Sequence, residues 1–211
     1  ENTLIGAQVG DALTQGARNT AVGYVALSSD TLGQYSTAVG YAALFSSNQT
    51  TAVNTYNVAV GYNAGGAVTT GLFNTLVGGL SGDALTDADY NTGLGYLALS
   101  SDTLGSTSTA VGAFAVGYNA GGDVTVGFMN TLIGGLAGDA LTDADYNVAI
   151  GFHALGGDTL GSRSVAIGTN ALFTQNFTSA TDAYNIGIGF SAGLSVTTGV
   201  ENTLIGGLAG D

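Results

Sequence analysis

A chain of 211 residues with 36 Gly and no Pro, Cys, Trp or Lys departs from ordinary globular usage, yet 45% of it is apolar, too much for intrinsic disorder. Its formal net charge of −13 comes from 13 Asp and 2 Glu against Arg18 and Arg163, which leaves no basic patch to neutralise phosphates and excludes nucleic-acid binding. The lack of Cys excludes disulfides and thiolate metal sites, and no apolar run reaches the roughly 18 residues of a spanning helix, so no membrane insertion is expected in this segment.

Taken in order, the chain opens on Asn2-Thr3-Leu4-Ile5-Gly6, and variants of that pentapeptide begin again at Asn19, Ser36, Asn57, Asn74, Asn91, Ser108, Asn130, Asn147, Ser164, Asn185 and Asn202. The intervals are 17, 17, 21, 17, 17, 17, 22, 17, 17, 21 and 17 residues. Self-similarity at such a period is the mark of a repeat array. The whole of 1–211 therefore reads as one array, with a higher-order block at 2–73, the same block shortened by 16 residues at 74–129, a third at 130–201 and a partial one at 202–211. Around the deletion, Ser108–Gly112 runs straight into Ala113-Phe114-Ala115-Val116-Gly117. That stretch fits either a full unit beginning at Ala113 with five residues spare or one enlarged 22-residue coil.

Aligned in columns, the units show what each position is for. Column five is always Gly, which points to positive φ or to a close approach that excludes Cβ. Column eight is nearly always Ala, as at Ala26, Ala43 and Ala154, and so faces little space; column thirteen of the 17-residue units is Thr. Column one carries Asn2, Asn19, Asn57, Asn74, Asn91, Asn130, Asn147, Asn185 and Asn202, a ladder in which each amide is expected to bond to the next. Column four is always Val, Ile or Leu, expected to point inward.

Gly every few residues, crowded β-branched residues and no sustained 3.6 periodicity exclude a helical array. The expected fold is all-β, a parallel β-solenoid of about twelve 17- to 22-residue coils, each with two short strands joined by a Gly turn and adding about 4.8 Å along the axis. In Asn147-Val-Ala-Ile-Gly151, Val148 and Ile150 point one way and Ala149 and Gly151 the other. A strand apolar on both faces is buried on both. With Val and Ile inward, the second face, at Ala149, is expected to be covered by another copy of the chain.

Ser164-Val-Ala-Ile-Gly168 and Asn147-Val-Ala-Ile-Gly151 resemble the head repeat of YadA-like trimeric autotransporter adhesins. The longer Asn19-Thr-Ala-Val-Gly-Tyr-Val-Ala-Leu27 is similar to repeats of bacteriophage tail fibres and bacterial surface proteins. The resemblance covers essentially the whole chain. It implies a left-handed β-roll, a homotrimer, and an extracellular place on a cell surface or virion appendage. The units here are longer than the family's, and no neck or coiled-coil stalk is present. The residues themselves leave a single-chain solenoid or a filament open.

Chemistry has little to stand on. The single His, His153, occupies the variable seventh column, where a solvent-facing role is expected, so no enzyme activity is anticipated. Gly134-Gly-Leu-Ala-Gly-Asp-Ala-Leu-Thr142 resembles the calcium-binding nonapeptide of RTX solenoids, with Ala137 where a Gly belongs. This makes Asp83, Asp87, Asp89, Asp139, Asp143 and Asp145 the calcium candidates, against a plainer reading as solvated turn charges; no other cofactor is expected. Column six holds Tyr24, Tyr41, Tyr62, Tyr96, Tyr118, Phe152 and Phe190, and column seventeen holds Tyr35, Tyr56, Phe73, Tyr90, Tyr146 and Tyr184. These rows suit packing between copies or a track for a host-surface glycan or protein. The expected function is a structural segment of a surface fibre that self-associates; the alternative is an adhesin head or tail-fibre shaft that binds a host receptor.

Overall fold

The computed structural model describes residues 1–101 and 114–211, and the chain divides into two compact units, Glu1–Val111 and Gly112–Asp211. Among the described residues there are strands and turns but no helix. In the first unit, β1 (Thr3–Ile5), β2 (Thr20–Val22), β3 (Thr37–Val39), β4 (Val58–Val60), β5 (Thr75–Val77) and β6 (Thr92–Leu94) pair in parallel, each with the next. In the second, β7 (Phe114–Val116), β8 (Thr131–Ile133), β9 (Val148–Ile150), β11 (Val165–Ile167), β13 (Ile186–Ile188) and β14 (Thr203–Ile205) do the same. The remaining strands, β10 (Gly161–Ser162) and β12 (Thr181–Asp182), form a separate parallel pair. Each unit is thus a parallel β-solenoid, and column two always faces column two in the next turn.

The register of β7, with Phe114 opposite Thr131 and Val116 opposite Ile133, sets Phe114–Val116 in columns two to four of a turn. The copy at Ser108–Gly112, with its column-four Val111, lies outside the described residues.

Both reasons offered by column five hold. Gly61 has φ of 143°, and a Cβ there would lie 2.4 Å from the carbonyl oxygen of Gly78 in the next turn. The strand therefore ends at this Gly after three residues. Among the described residues, the expected second strand is absent from most turns, appearing as the two-residue β10 and β12 and as an isolated bridge between Gln34 and Asn54. Columns seven and nine instead take positive φ even where they are not Gly, as at Val25 (50°) and Leu27 (52°). Left-handed backbone costs an L-residue about 1–2 kcal/mol. What offsets it is that the segment still bonds turn to turn: the N–H of Val25 donates to Ala7 O at 3.1 Å and that of Leu27 to Ala43 O at 3.0 Å. The threonines of column thirteen add to this ladder, with Thr14 and Thr142 Oγ1 donating to the carbonyls of Thr31 and Thr159.

The faces of the strand are the reverse of the expectation. Ala21, Ala38, Ala59, Ala115, Ala149 and Ala166, all in column three, are fully buried, whereas Val22, Val39, Ile150 and Ile167 in column four are half-buried and outward. The interior is filled jointly by columns three, nine and twelve. Where column three is Leu, as at Leu76 and Leu132, column nine is Gly (Gly82, Gly138) and column twelve is Leu (Leu85, Leu141). Where column three is Ala, as at Ala21 and Ala149, column nine is usually Leu (Leu27, Leu155), and column twelve is then polar (Asp30, Asp158). Each arrangement fills the same space, as close packing requires. Column eight is buried in both units, Val9 and Ser81 included, as expected, apart from the half-buried Ala209.

The Asn column, interrupted by Ser36 and Ser164, bonds differently from an amide ladder. Asn147 Nδ2 donates to Gly161 O of its own turn at 2.8 Å, and Asn147 Oδ1 accepts from the backbone N–H of Ser164 in the next turn at 2.8 Å. Asn19, Asn74 and Asn130 repeat the pattern, and direct amide-to-amide bonds occur at Asn91–Asn74 and Asn202–Asn185. Asn147→Ala should strand two buried backbone groups and cost about 2–5 kcal/mol. Urea unfolding would register this; a loss well below 1 kcal/mol would mean that water reaches these groups.

Candidate interaction face

Outward side chains alternate with buried ones from the last column of one turn through column six of the next. Columns seventeen, two, four and six face out, while one and three face in. A turn such as that of Asn57 thus presents an aromatic, a Val, a second Val and another aromatic (Tyr56, Val58, Val60, Tyr62), though other turns carry Gly, Ala or Thr in column six or Arg, Met or Glu in column seventeen. In the first unit, Tyr24, Tyr41 and Tyr62 stack with centroids 5.5 and 5.2 Å apart, and Tyr35, Tyr56, Phe73 and Tyr90 at 5.1, 5.6 and 4.8 Å. These rows are half-exposed, with Tyr41 at 50% and Tyr62 at 59%. Elsewhere in column six, rings lie over a neighbouring Gly: Tyr96 over Gly79, and Phe152 over Gly135 in the second unit. Tyr118 and Phe190 are exposed members of the same column.

Two residues of this face are absent from the expectations. Arg18 and Arg163 both fall in column seventeen and continue its stack as cations. The Arg18 guanidinium lies 5.2 Å from the Tyr35 centroid, and that of Arg163 lies 4.6 Å from Tyr146 and 5.9 Å from Tyr184. Arg163 also pairs with Asp182 at 3.0 Å, an exposed pair that contributes little to stability. The signal was available in the spacing, since both occupy the position of a Tyr; guanidinium stacks on aromatic faces as Tyr does.

The Asp residues of the 17-residue turns fall in columns ten to sixteen, while Glu201 stands in column seventeen. Columns two, four and six carry no charge in any described turn. The calcium candidates are spread among three columns and engaged between turns. Asp87 Oδ1 accepts from Thr69 and Thr70 hydroxyls at 2.9 and 3.1 Å, Asp89 Oδ1 from Leu72 N at 2.7 Å, and Asp145 Oδ1 from Phe128 N at 3.0 Å. Asp143 is exposed. Asp83 Oδ1 and Asp139 Oδ1 are buried without a hydrogen bond. Among the described residues, no three His, Cys, Asp or Glu side chains converge as a metal would need. His153 is half-buried rather than solvent-facing, its ring set edge-on to Phe152 and Phe173 at 4.4 and 5.2 Å.

Burial pushes the carboxyls of Asp83, Asp89, Asp139 and Asp145 above their ordinary value, against the opposing pull of backbone N–H donors and, for Asp139, of His153. A carboxyl whose pKa is higher folded than unfolded holds more protons in the folded state. Its contribution is complete below the unfolded value of 3.8 and is lost as pH rises through the folded one. Acidification also relieves self-repulsion at −13. The thermal midpoint is therefore expected to rise as pH falls from 7 towards 4; a flat or falling midpoint in buffered melts would count against the burial of these groups.

No family model, curated protein or solved structure matches this chain.

Proposed function

We propose that this chain is a structural segment of an extracellular fibre that assembles by self-association, one copy packing its strand face against the same face of another in a homotrimer or filament. The observation that carries the reading is the division of the turn. A chain of net charge −13 keeps every acid off columns two, four and six, the columns that also hold its outward Val, Ile, Tyr and Phe. A basic partner would be met by acids, whereas a neutral apolar face fits one that is equally neutral and apolar. A second copy meets that condition without bringing like charges together. Sedimentation and negative-stain imaging of the purified chain test it: a defined multimer or filament is expected, strengthened by salt as the remaining repulsion is screened. A monomer at all concentrations would defeat it.

A second reading rests on the exposed rings. Stacked Tyr24, Tyr41 and Tyr62 offer a flat track that suits a host-surface glycan or receptor protein, as in an adhesin head or tail-fibre shaft. Assembled protein that binds neither cells nor a glycan array would remove it.

A further inference from the structure

Column twelve brings a buried carboxylate into the interior of each unit, and the two units treat it differently. In the second unit, Asp158 Oδ1 accepts from the N–H groups of Gly161 and Phe177 at 3.1 and 3.2 Å. Its Oδ2 accepts from Gln175 Nε2 at 2.6 Å, and the same nitrogen donates to Ser164 Oγ at 3.1 Å. All three side chains are fully buried. In the first unit Asp30 stands for Asp158 and Ser36 for Ser164, but Ser47 replaces Gln175, Gln49 replaces Phe177 and Thr55 replaces Ala183. Asp30 Oδ1 accepts from the N–H groups of Leu32 and Gly33 at 3.3 and 2.9 Å, the latter equivalent to Gly161. Asp30 Oδ2 and Ser47 Oγ, in side chains with no solvent exposure, make no hydrogen bond within the chain.

Asp30 and Ser47 hold the sequence positions of Asp158 and Gln175, which bond each other in the second unit, and two unpartnered buried polar atoms are costly unless something bonds them. We propose that the first unit holds one internal water in the position that the Gln175 amide nitrogen takes in the second. The hydrogen bonds then balance. Thr55 Oγ1 donates to Gln34 O at 2.7 Å, so the 2.5 Å contact of Ser36 Oγ with Thr55 Oγ1 has Ser36 as donor and leaves its lone pairs free. The water donates one proton to Asp30 Oδ2 and the other to Ser36 Oγ, and accepts the proton of Ser47 Oγ. Three partners are typical of a buried water, and the Ser47 side chain is three heavy atoms smaller than the Gln175 side chain that reaches Asp158. A water fits better than a cation because Asp158, equally buried, is held by neutral N–H donors alone.

A crystal structure at water-resolving resolution tests the proposal. The expected map has a peak within about 3.2 Å of Asp30 Oδ2, Ser36 Oγ and Ser47 Oγ. Ser47→Gln should displace it and raise the thermal midpoint by about 2 °C or more. The reciprocal Gln175→Ser should acquire a peak beside Asp158 Oδ2 and melt lower. A map that shows other buried waters but none here overturns the proposal, whether or not either variant folds. So does a peak with distances near 2.4 Å, typical of a bound cation, that vanishes when sodium is replaced by a bulky organic cation.

Discussion

Ala149→Glu is expected to unfold the second unit, whereas Ile150→Glu, one residue further along β9, is expected to leave it folded and abolish assembly. Ala149 is fully buried between Ala166 and Leu132 of the adjoining turns, the partners of its register. A glutamate there must place its charge in the apolar interior, at an effective cost of several kcal/mol, and overpack by about 1–3 kcal/mol more. The sum is comparable to the whole stability of a domain. Ile150 faces outward and is half-buried. Its glutamate reaches water in the isolated chain but sets a carboxylate against its counterpart in any pair of copies. Circular dichroism melts and sedimentation read the two effects apart. Ala149→Glu melting like the parent would show that column three is not the interior, and Ile150→Glu that still assembles would remove columns two and four as the interface.

That pair of variants turns on a point the sequence left undecided. Val148, Ala149 and Ile150 are all apolar, so alternation shows that there are two faces without saying which is inside. Larger side chains suggest the interior, but here the interior is narrow, and Leu27, Leu85 or Leu155 already fills it from another column. The deciding signal lies in columns three, nine and twelve read jointly, not in any one of them. Column five and column eight were legible because a single cause, a backbone carbonyl or a wall of methyl groups, acts at each. The positive φ of Val25 and Leu27 was not, since branched aliphatic residues carry no local preference for it; stacking imposes it. The Asn column was legible as a column, but not in its partners, because the carbonyl of Gly161 comes within reach of Asn147 only when the turn closes. The candidate face was half-visible: its aromatic rows follow from spacing, while Arg18 and Arg163 belong to it for their planarity rather than their residue class.

The joint reading of those three columns makes a second large prediction, at Gly82. A Cβ on Gly82 would lie 2.7 Å from Leu76 Cδ2 and 2.7 Å from Leu85 Cδ1, so Gly82→Leu alone should overpack the turn and cost about 3 kcal/mol or more. The backbone is not the obstacle: Gly82 has φ of 58°, and Leu27 and Leu155 hold 52° and 54° in the same column. Leu76→Ala alone should cost about 2–5 kcal/mol by opening a cavity. Combining Leu76→Ala, Gly82→Leu and Leu85→Ser rewrites the turn in the form of Ala38, Leu44 and Ser47, which the chain already uses. If one interior volume is shared among the three columns, the triple variant recovers most of the stability that either single change removes, a strong departure from additivity. Urea melts of the four proteins decide it. A triple variant as unstable as the sum of its parts would mean that neighbouring turns, rather than the turn itself, determine which column carries the large side chain.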